Sequence, residues 1–344
     1  MTRSSTTNRP PLALTMGEPS GIGPDISIVA WLRRDAAKVP PFFLLACPGL
    51  IRTRARALGV DVPLREIASP AEASAAFGTA LPILPLHRSV QARPGKPDPA
   101  NAKAVLDSIE TATELFKRGE ASAIVTNPIQ KAALYEAGFE HPGHTEFFEA
   151  LAGHFAFAVM MLAVPGLRVV PVTVHKPLAA VPKALTTELI VKTGRTVAAS
   201  LRDDFGIAAP CLAVAGLNPH AGEAGTIGRE EVEIIEPAIA ALRAEGIAVS
   251  GPRPADTLFH KEARAGYDAA LCMYHDQALI PLKTINFHEG VNVTIGLPFV
   301  RTSPDHGTAL DIAGTGRADP RSLVAALKLG RDIARARRHR RAEP

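Results

Sequence analysis

At 344 residues the chain is longer than a single hydrophobic core usually serves, so two domains or lobes are expected. Apolar residues make up 47% of it, yet no uninterrupted apolar run reaches the ~18 residues of a membrane-spanning helix, which argues for a soluble globular protein without a membrane partner. The formal net charge is +4, and the segment 331–344 alone carries six Arg against Asp332 and Glu343, so the rest is balanced and nucleic acid is not an expected partner.

Met1–Pro11 lacks the basic start, apolar middle and small-residue cleavage site of a secretory signal, so a cytoplasmic location is expected. Pro11–Met16 is a short apolar run, read as a strand, that leads into Gly17-Glu18-Pro19-Ser20-Gly21-Ile22-Gly23-Pro24-Asp25 and then a helix over Ile26–Arg34 with Trp31 and Leu32 on its apolar side. The turn matches neither G-x-G-x-x-G nor a P-loop. Its glycines allow a tight bend, and both a phosphate-facing helix start and a plain strand-to-helix turn fit it. Pro41–Ala46 reads as a strand, Leu50–Leu58 as a helix and Leu81–Leu86 as a strand. Arg93-Pro94-Gly95-Lys96-Pro97-Asp98-Pro99 is a loop, because its prolines and glycine forbid regular structure. Ala100–Arg118 is a long helix with Val105, Ile109, Ala112 and Phe116 on one face, and Ala121–Thr126 a buried strand running into the loop Asn127–Lys131.

Further along, strands are predicted near Phe157–Ala163, Leu167–His175, Cys211–Leu217, Tyr267–Met273 and Val291–Ile295, and helices over Thr186–Asp204, Glu230–Glu245 and Pro320–Arg338. The alternation assigns the α/β class. The tight Val164-Pro165-Gly166 link between two of these runs predicts a hairpin, hence a mixed sheet. Cys47, Cys211 and Cys272 are far apart without C-x-x-C spacing, and Cys272 reads as a small core residue.

Three histidines share one context at strand ends. His175 closes Val169–Val174, His220 follows Ala213–Asn218, and His275 follows Leu271–Tyr274. Each alone reads more readily as a hydrogen-bonded loop residue. If the three strands are neighbours, their imidazoles reach one rim and form an ordinary set of divalent-metal ligands, with Asp276 and Asp256 as outer carboxylates or further ligands. A second set suits an anion: His144 and Thr145 ahead of an apolar helix, then Lys283, Asn292 and Arg301. Thr145 serves equally as a helix cap, whereas Arg301 offers a fork and Lys283 a point charge for a carboxylate or phosphate. The polar stretch after Met273 is expected to be a loop at a strand end, where α/β enzymes carry their chemistry. Asp305–Gly316 is loop-like, and Gly307, Gly314 and Gly316 permit close backbone approach to a ligand, as in a nucleotide-contact loop.

Met16–Ile26, Thr126–Leu134, Pro142–Phe148, Leu217–Glu231, Gly251–Phe259 and Met273–Gly316 together resemble the 4-hydroxythreonine-4-phosphate dehydrogenase family of pyridoxal phosphate biosynthesis, in order over nearly the whole chain. Gly21-Ile22-Gly23-Pro24 and His306–Gly316 are also similar to elements of the isocitrate and isopropylmalate dehydrogenases. The resemblance implies their fold, two α/β lobes around a central cleft. It divides the chain into 1–130 with 300–344, and 131–299, the latter carrying a metal site and a dimer interface.

It further implies metal ligands His175, His220 and His275, substrate contacts His144, Thr145, Lys283, Asn292 and Arg301, and NAD or NADP against His306, Gly307, Thr308 and Gly314. A homodimer with sites at the subunit interface is implied too, so that one divalent metal, zinc, magnesium or cobalt, draws histidines from both chains. Gly17-Glu18-Pro19-Ser20-Gly21 departs from the Gly-Asp-Pro-Ala-Gly expected there. The implied reaction is oxidation of 4-phosphohydroxythreonine at C3 and decarboxylation to 3-amino-2-oxopropyl phosphate, with the proton taken by Lys283, Asp256 or Asp276. A dehydrogenase of threonate or erythronate 4-phosphate, and a metal-dependent phospho-ligand binding protein without turnover, remain alternatives.

Overall fold

The computed structural model describes residues 9–139, 141, 144–153 and 157–342, with the side chains of 144–146 and 341–342 outside the described residues. The strands are β1 (Leu12–Thr15), β2 (Phe42–Ala46), β3 (Leu64–Glu66), β4 (Leu81–Pro85), β5 (Ile124–Val125), β6 (Val159–Val164), β7 (Leu167–Pro171), β8 (Cys211–Ala215), β9 (Ala248–Arg253), β10 (Ala269–Cys272), β11 (Val291–Ile295) and β12 (Arg301–Pro304). Every residue of β1, β2 and β10 is buried, as continuous apolar runs require when both faces of a strand are covered. The class is α/β with a mixed sheet, consistent with an isocitrate/isopropylmalate dehydrogenase-like fold. No helix among the described residues is long and apolar enough to cross a membrane.

The chain divides into two compact units. The first, 1–147 with 299–334, has strand order β3-β4-β2-β1-β5-β12, and the paired strands are parallel. Its core includes Phe42 packed edge-on against Phe77 at 5.1 Å, with the Trp31 indole N–H donating to the Phe77 carbonyl at 2.9 Å. The second, 148–298 with 335–344, has order β11-β6-β7-β10-β8-β9. Here β11–β6 and β6–β7 are antiparallel, and β7–β10, β10–β8 and β8–β9 are parallel. The hairpin at Val164-Pro165-Gly166 is present, with Val164 opposite Leu167 and Gly166 at φ +82°.

Several elements differ from expectation for local reasons. Leu32 is 37% exposed, whereas Gly23–Ala30 lies buried almost all round, so that helix is a core helix rather than an amphipathic one. The predicted helix Glu230–Glu245 opens with a π-helical turn, Glu231–Ile235, before the α-helix Glu236–Ala244. Pro237 has no N–H to give to the preceding turn, which loosens the winding there. The stretch after Met273 is a helix, His275–Ile285, and not a loop. Ala278 and Leu282, one turn apart, are fully buried in the core of the second unit and hold it down, while Asp276 suits the positive end of its dipole.

Candidate active site

In the second unit β7, β10 and β8 are adjacent and parallel, with Cys272 opposite Pro171 and Leu271 opposite Val214. Past the strand ends the Thr173 N–H still donates to the Met273 carbonyl at 3.3 Å, two residues ahead of both His175 and His275. The His175 and His275 rings face each other with centroids 6.1 Å apart and planes inclined at 38°. Two imidazoles on one cation, each nitrogen about 2.1 Å from it, hold their rings roughly 5–6 Å apart, so this pair fits two ligand positions. Asp276 Oδ1 lies 2.7 Å from His275 Nδ1, which fixes the ring and leaves Nε2 outward. His220 sits exposed in a turn of its own. Among the described residues no three His, Cys, Asp or Glu are gathered closely enough to hold a metal, so one chain brings two of the three histidines together and does not bring the third to them. Asp256 is exposed in the 3-10 turn Ala255–Thr257 that follows β9.

The strand ends are tied by buried polar side chains that sequence reading passed over. Gln277 Oε1 accepts the Met273 N–H at 2.6 Å while its Nε2 donates to the Gly216 carbonyl at 2.7 Å, joining the end of β10 to the end of β8. The Thr173 hydroxyl donates to the Met273 carbonyl at 2.7 Å, joining β7 to β10. The available signal was an amide in the first helical turn after an apolar strand, a position where capping chemistry is the ordinary explanation.

Of the residues read as an anion site, Lys283 and Asn292 belong to the second unit and Arg301 to the first. Lys283 is half-buried in the last turn of helix His275–Ile285, its ammonium 5.5 Å from the centre of the Phe287 ring. Asn292 lies in β11 opposite Leu162, and its Oδ1 is buried without a hydrogen bond from the described residues, an acceptor open to a ligand's donor. Arg301 opens β12, 3% exposed, and donates to the Thr126 hydroxyl at 2.8 Å. Burial pushes its guanidinium down to about 9, the mark of a desolvated cation that an anion would stabilise. His144 and Thr145 stand at the start of helix His144–Ala152, and their side chains lie outside the described residues.

The glycine-rich turn and the 305–316 loop meet within the first unit. Ile22 N–H donates to the Thr308 carbonyl at 3.0 Å, and Gly314 N–H to Asp25 Oδ1 at 2.7 Å. A Cβ on Gly21 would stand 2.9 Å from the Thr308 carbonyl oxygen, so glycine there serves close packing of the two loops. Arg54, buried, pairs with Asp25 and donates to the carbonyls of Gly21 and Pro19 at 2.7 and 2.8 Å. Burial raises the Asp25 carboxyl against the pull of Arg54, and it also raises that of Glu18, whose Oε1 accepts the Ser20 N–H at 2.9 Å. The N–H of Ile22, at the helix start after Gly21, is thus engaged with Thr308. His306 is half-buried, with Nδ1 3.0 Å from the Gly307 carbonyl oxygen, and Gly307 is exposed. Two clefts, of about 710 Å³ beside Asp204 and Arg337 and about 840 Å³ beside Cys47 and Arg93, are lined by none of the histidines at the strand ends.

Comparison with known proteins agrees over most of the chain. The family model described as pyridoxal phosphate biosynthetic protein PdxA matches residues 38–330. A relative from Methylorubrum populi, named 4-hydroxythreonine-4-phosphate dehydrogenase, is 56% identical over 330 residues, covering 94% of this chain and 94% of its own. One of the same name from Bradyrhizobium diazoefficiens is 54% identical, covering 95% and 98%. The crystal structure of 4-hydroxythreonine-4-phosphate dehydrogenase from Klebsiella pneumoniae is similar with a TM-score of 0.86 at 38% identity, over 96% of this chain and 99% of that one.

Proposed function

The chain belongs to the PdxA family of pyridoxal phosphate biosynthetic proteins, and from that membership we propose that it is a 4-hydroxythreonine-4-phosphate dehydrogenase that uses NAD and a divalent metal. The observation that carries the metal-dependent part of this reading is the His175–His275 pair, with Asp276 on the inner nitrogen of His275. His220 completes the proposed ligand set. When bound, a divalent cation supplies Lewis acidity to the substrate hydroxyl. Lys283, Asn292 and Arg301 hold the substrate's anionic and polar groups, with His144 and Thr145 as further contacts. His306, Gly307, Thr308 and Gly314 form the proposed NAD-side loop.

When bound, NAD would supply the hydride acceptor for C3, and a base of this chain would take the hydroxyl proton. Asp276 is engaged with His275 and suits orientation better, which leaves Lys283 and Asp256 to act as the base. The resulting β-keto acid loses carbon dioxide to give 3-amino-2-oxopropyl phosphate. We extend the reading to a homodimer. Ile280 (63% exposed), Ile285 (39%) and Phe287 (69%) are large apolar groups on and just after the helix that starts at His275. A second copy covering them would bury that surface and bring a partner's histidine to the pair, which matches the absence of a third ligand beside the two among the described residues.

The test is NADH production by protein repleted with zinc, magnesium or cobalt, offered 4-phosphohydroxythreonine and erythronate 4-phosphate in parallel, with a chelated control. Metal-dependent turnover selective for the amino acid is expected. Preference for the sugar acid would overturn the substrate, turnover surviving chelation would overturn the metal, and binding without turnover would leave a phospho-ligand binding protein.

A further inference from the structure

We infer that Glu231 is the positioning residue that fixes His220, an inference that rests on the reading of His220 as a metal ligand. His220, Ala221, Glu223 and Ala224 have φ between +42° and +55°, and Gly222 has +75°, so the turn after β8 is left-handed over consecutive side-chain-bearing residues. L-residues visit that region singly and at a cost, so such a run persists only where its surroundings over-determine it. Those surroundings converge on one carboxylate. Glu231 is 1% exposed, and its Oε1 accepts the N–H groups of both Leu217 and Asn218 at 2.7 Å each, where the chain leaves β8 for the turn. Its Oε2 accepts the Asn218 side-chain amide at 2.9 Å. The same amide also reaches Glu230 at 2.8 Å, a bond that holds the Glu230 carboxyl below its ordinary value.

The fit on the other side is equally close. A Cβ on Gly222 would stand 2.5 Å from Glu231 Oε2, and one on Gly216 would stand 3.1 Å from Oε1, so the turn is wrapped around the carboxylate at van der Waals distance. Glu231 is also the first residue of the π-helical turn, whose wider winding sets it at the foot of the loop. A carboxylate taking three N–H donors is a strong bracket. Its neutral isostere Gln turns one oxygen into a donor, and facing the donors of Leu217 or Asn218 it would break at least one of these bonds.

The experiment uses the full chain with Glu231→Gln, and with Gly222→Ala as a second variant that pushes a methyl group into the carboxylate from the turn side. Hydrogen exchange by mass spectrometry is read over 216–228 in metal-free protein. Cobalt(II) alone is then titrated in and its visible ligand-field absorption recorded, with His220→Ala as reference. In either folded variant, exchange over 216–228 should rise about tenfold or more while helix Thr187–Asp203 keeps its protection. Cobalt affinity should fall by about 10- to 100-fold, with an altered ligand-field band. Unchanged exchange in either folded variant would overturn the inference, as would raised exchange with cobalt affinity and band unchanged while His220→Ala alters both. If His220→Ala itself binds cobalt like the parent protein, the ligand reading of His220 fails, and the exchange data alone decide whether Glu231 holds the turn.

Discussion

The loops around Gly21 and Gly314 in the first unit and the strand ends around His175, His220 and His275 in the second solve the same problem, stopping a strand and turning the chain, by opposite means. In the first, positive φ falls mostly on glycines such as Gly17, Gly95 and Gly314, with Ala309 at φ +41° an exception in the same loop, and neighbouring backbones approach closely; a Cβ on Gly95 would stand 2.9 Å from the Leu310 carbonyl oxygen. In the second, positive φ falls on His175, His220, Ala221, Glu223 and Ala224, which have a Cβ to accommodate, and buried side chains of Gln277, Thr173 and Glu231 hold the backbone in place. Backbone that follows local rules needs little restraint, whereas backbone that breaks them persists only where specific buried side chains hold it.

That contrast predicts opposite consequences for mutation. His275→Ala removes a half-exposed ring and should leave the melting temperature within about 2 °C, while metal-dependent NADH production falls about a thousandfold or more, because Lewis-acid stabilisation is worth several kcal/mol. Retained turnover after chelation and repletion would dissolve the contrast from the active-site side. Arg54→Leu should do the reverse. It strands the Asp25 carboxylate in the interior, where breaking a buried pair costs about 3–5 kcal/mol, so urea unfolding should shift strongly while the folded fraction still binds cobalt. Gln277→Leu is intermediate. It leaves the Met273 N–H and the Gly216 carbonyl without their bonds, and about 1–3 kcal/mol of stability should go. Cobalt binding should weaken with it. A loss of stability with unchanged metal affinity would make Gln277 a core residue only.

The sequence pattern made the scaffold more legible than the restraints. Alternating apolar runs and amphipathic helices gave the α/β class, and Val164-Pro165-Gly166 announced its hairpin, because both signals are local. Leu64–Glu66 was missed because a three-residue strand with two exposed residues has no period to read. Ala248–Arg253 was missed because Gly251-Pro252 reads as a breaker, which the last strand of a sheet order tolerates. Pro281 hid helix His275–Ile285 in the same way. The shared context of the three histidines was visible, whereas the adjacency of β7, β10 and β8 that brings His175 to His275 is tertiary. Gln277 and Glu231 look, in sequence, like the polar face of any helix; only burial reveals that Gln277 accepts from Met273 and donates to Gly216, across two strands far apart in the chain, and that Glu231 accepts from Leu217 and Asn218 at the end of β8.

The smallest effect tests the scaffold side through pH. Burial raises the Glu18 carboxyl above its ordinary 4.5, and the Ser20 N–H pulls the other way without prevailing. A carboxyl raised in the folded state binds its proton more tightly there than in the unfolded chain. Its contribution is therefore whole below about 4.5 and is lost as pH rises through the folded value. Glu18→Gln keeps an oxygen for the Ser20 N–H and carries no charge to desolvate. Asp25, raised by burial as well, titrates in both proteins and cancels in the difference. The variant should gain on the parent as pH rises above about 4.5, read as a higher melting temperature, and the gap should close again in acid. A parent protein that instead gains on the variant as pH rises would mean that the Ser20 bond outweighs burial. The Gly17–Asp25 turn would then need its negative charge, and the first unit would hold a charged carboxylate in its loops much as Glu231 is inferred to be held in the second.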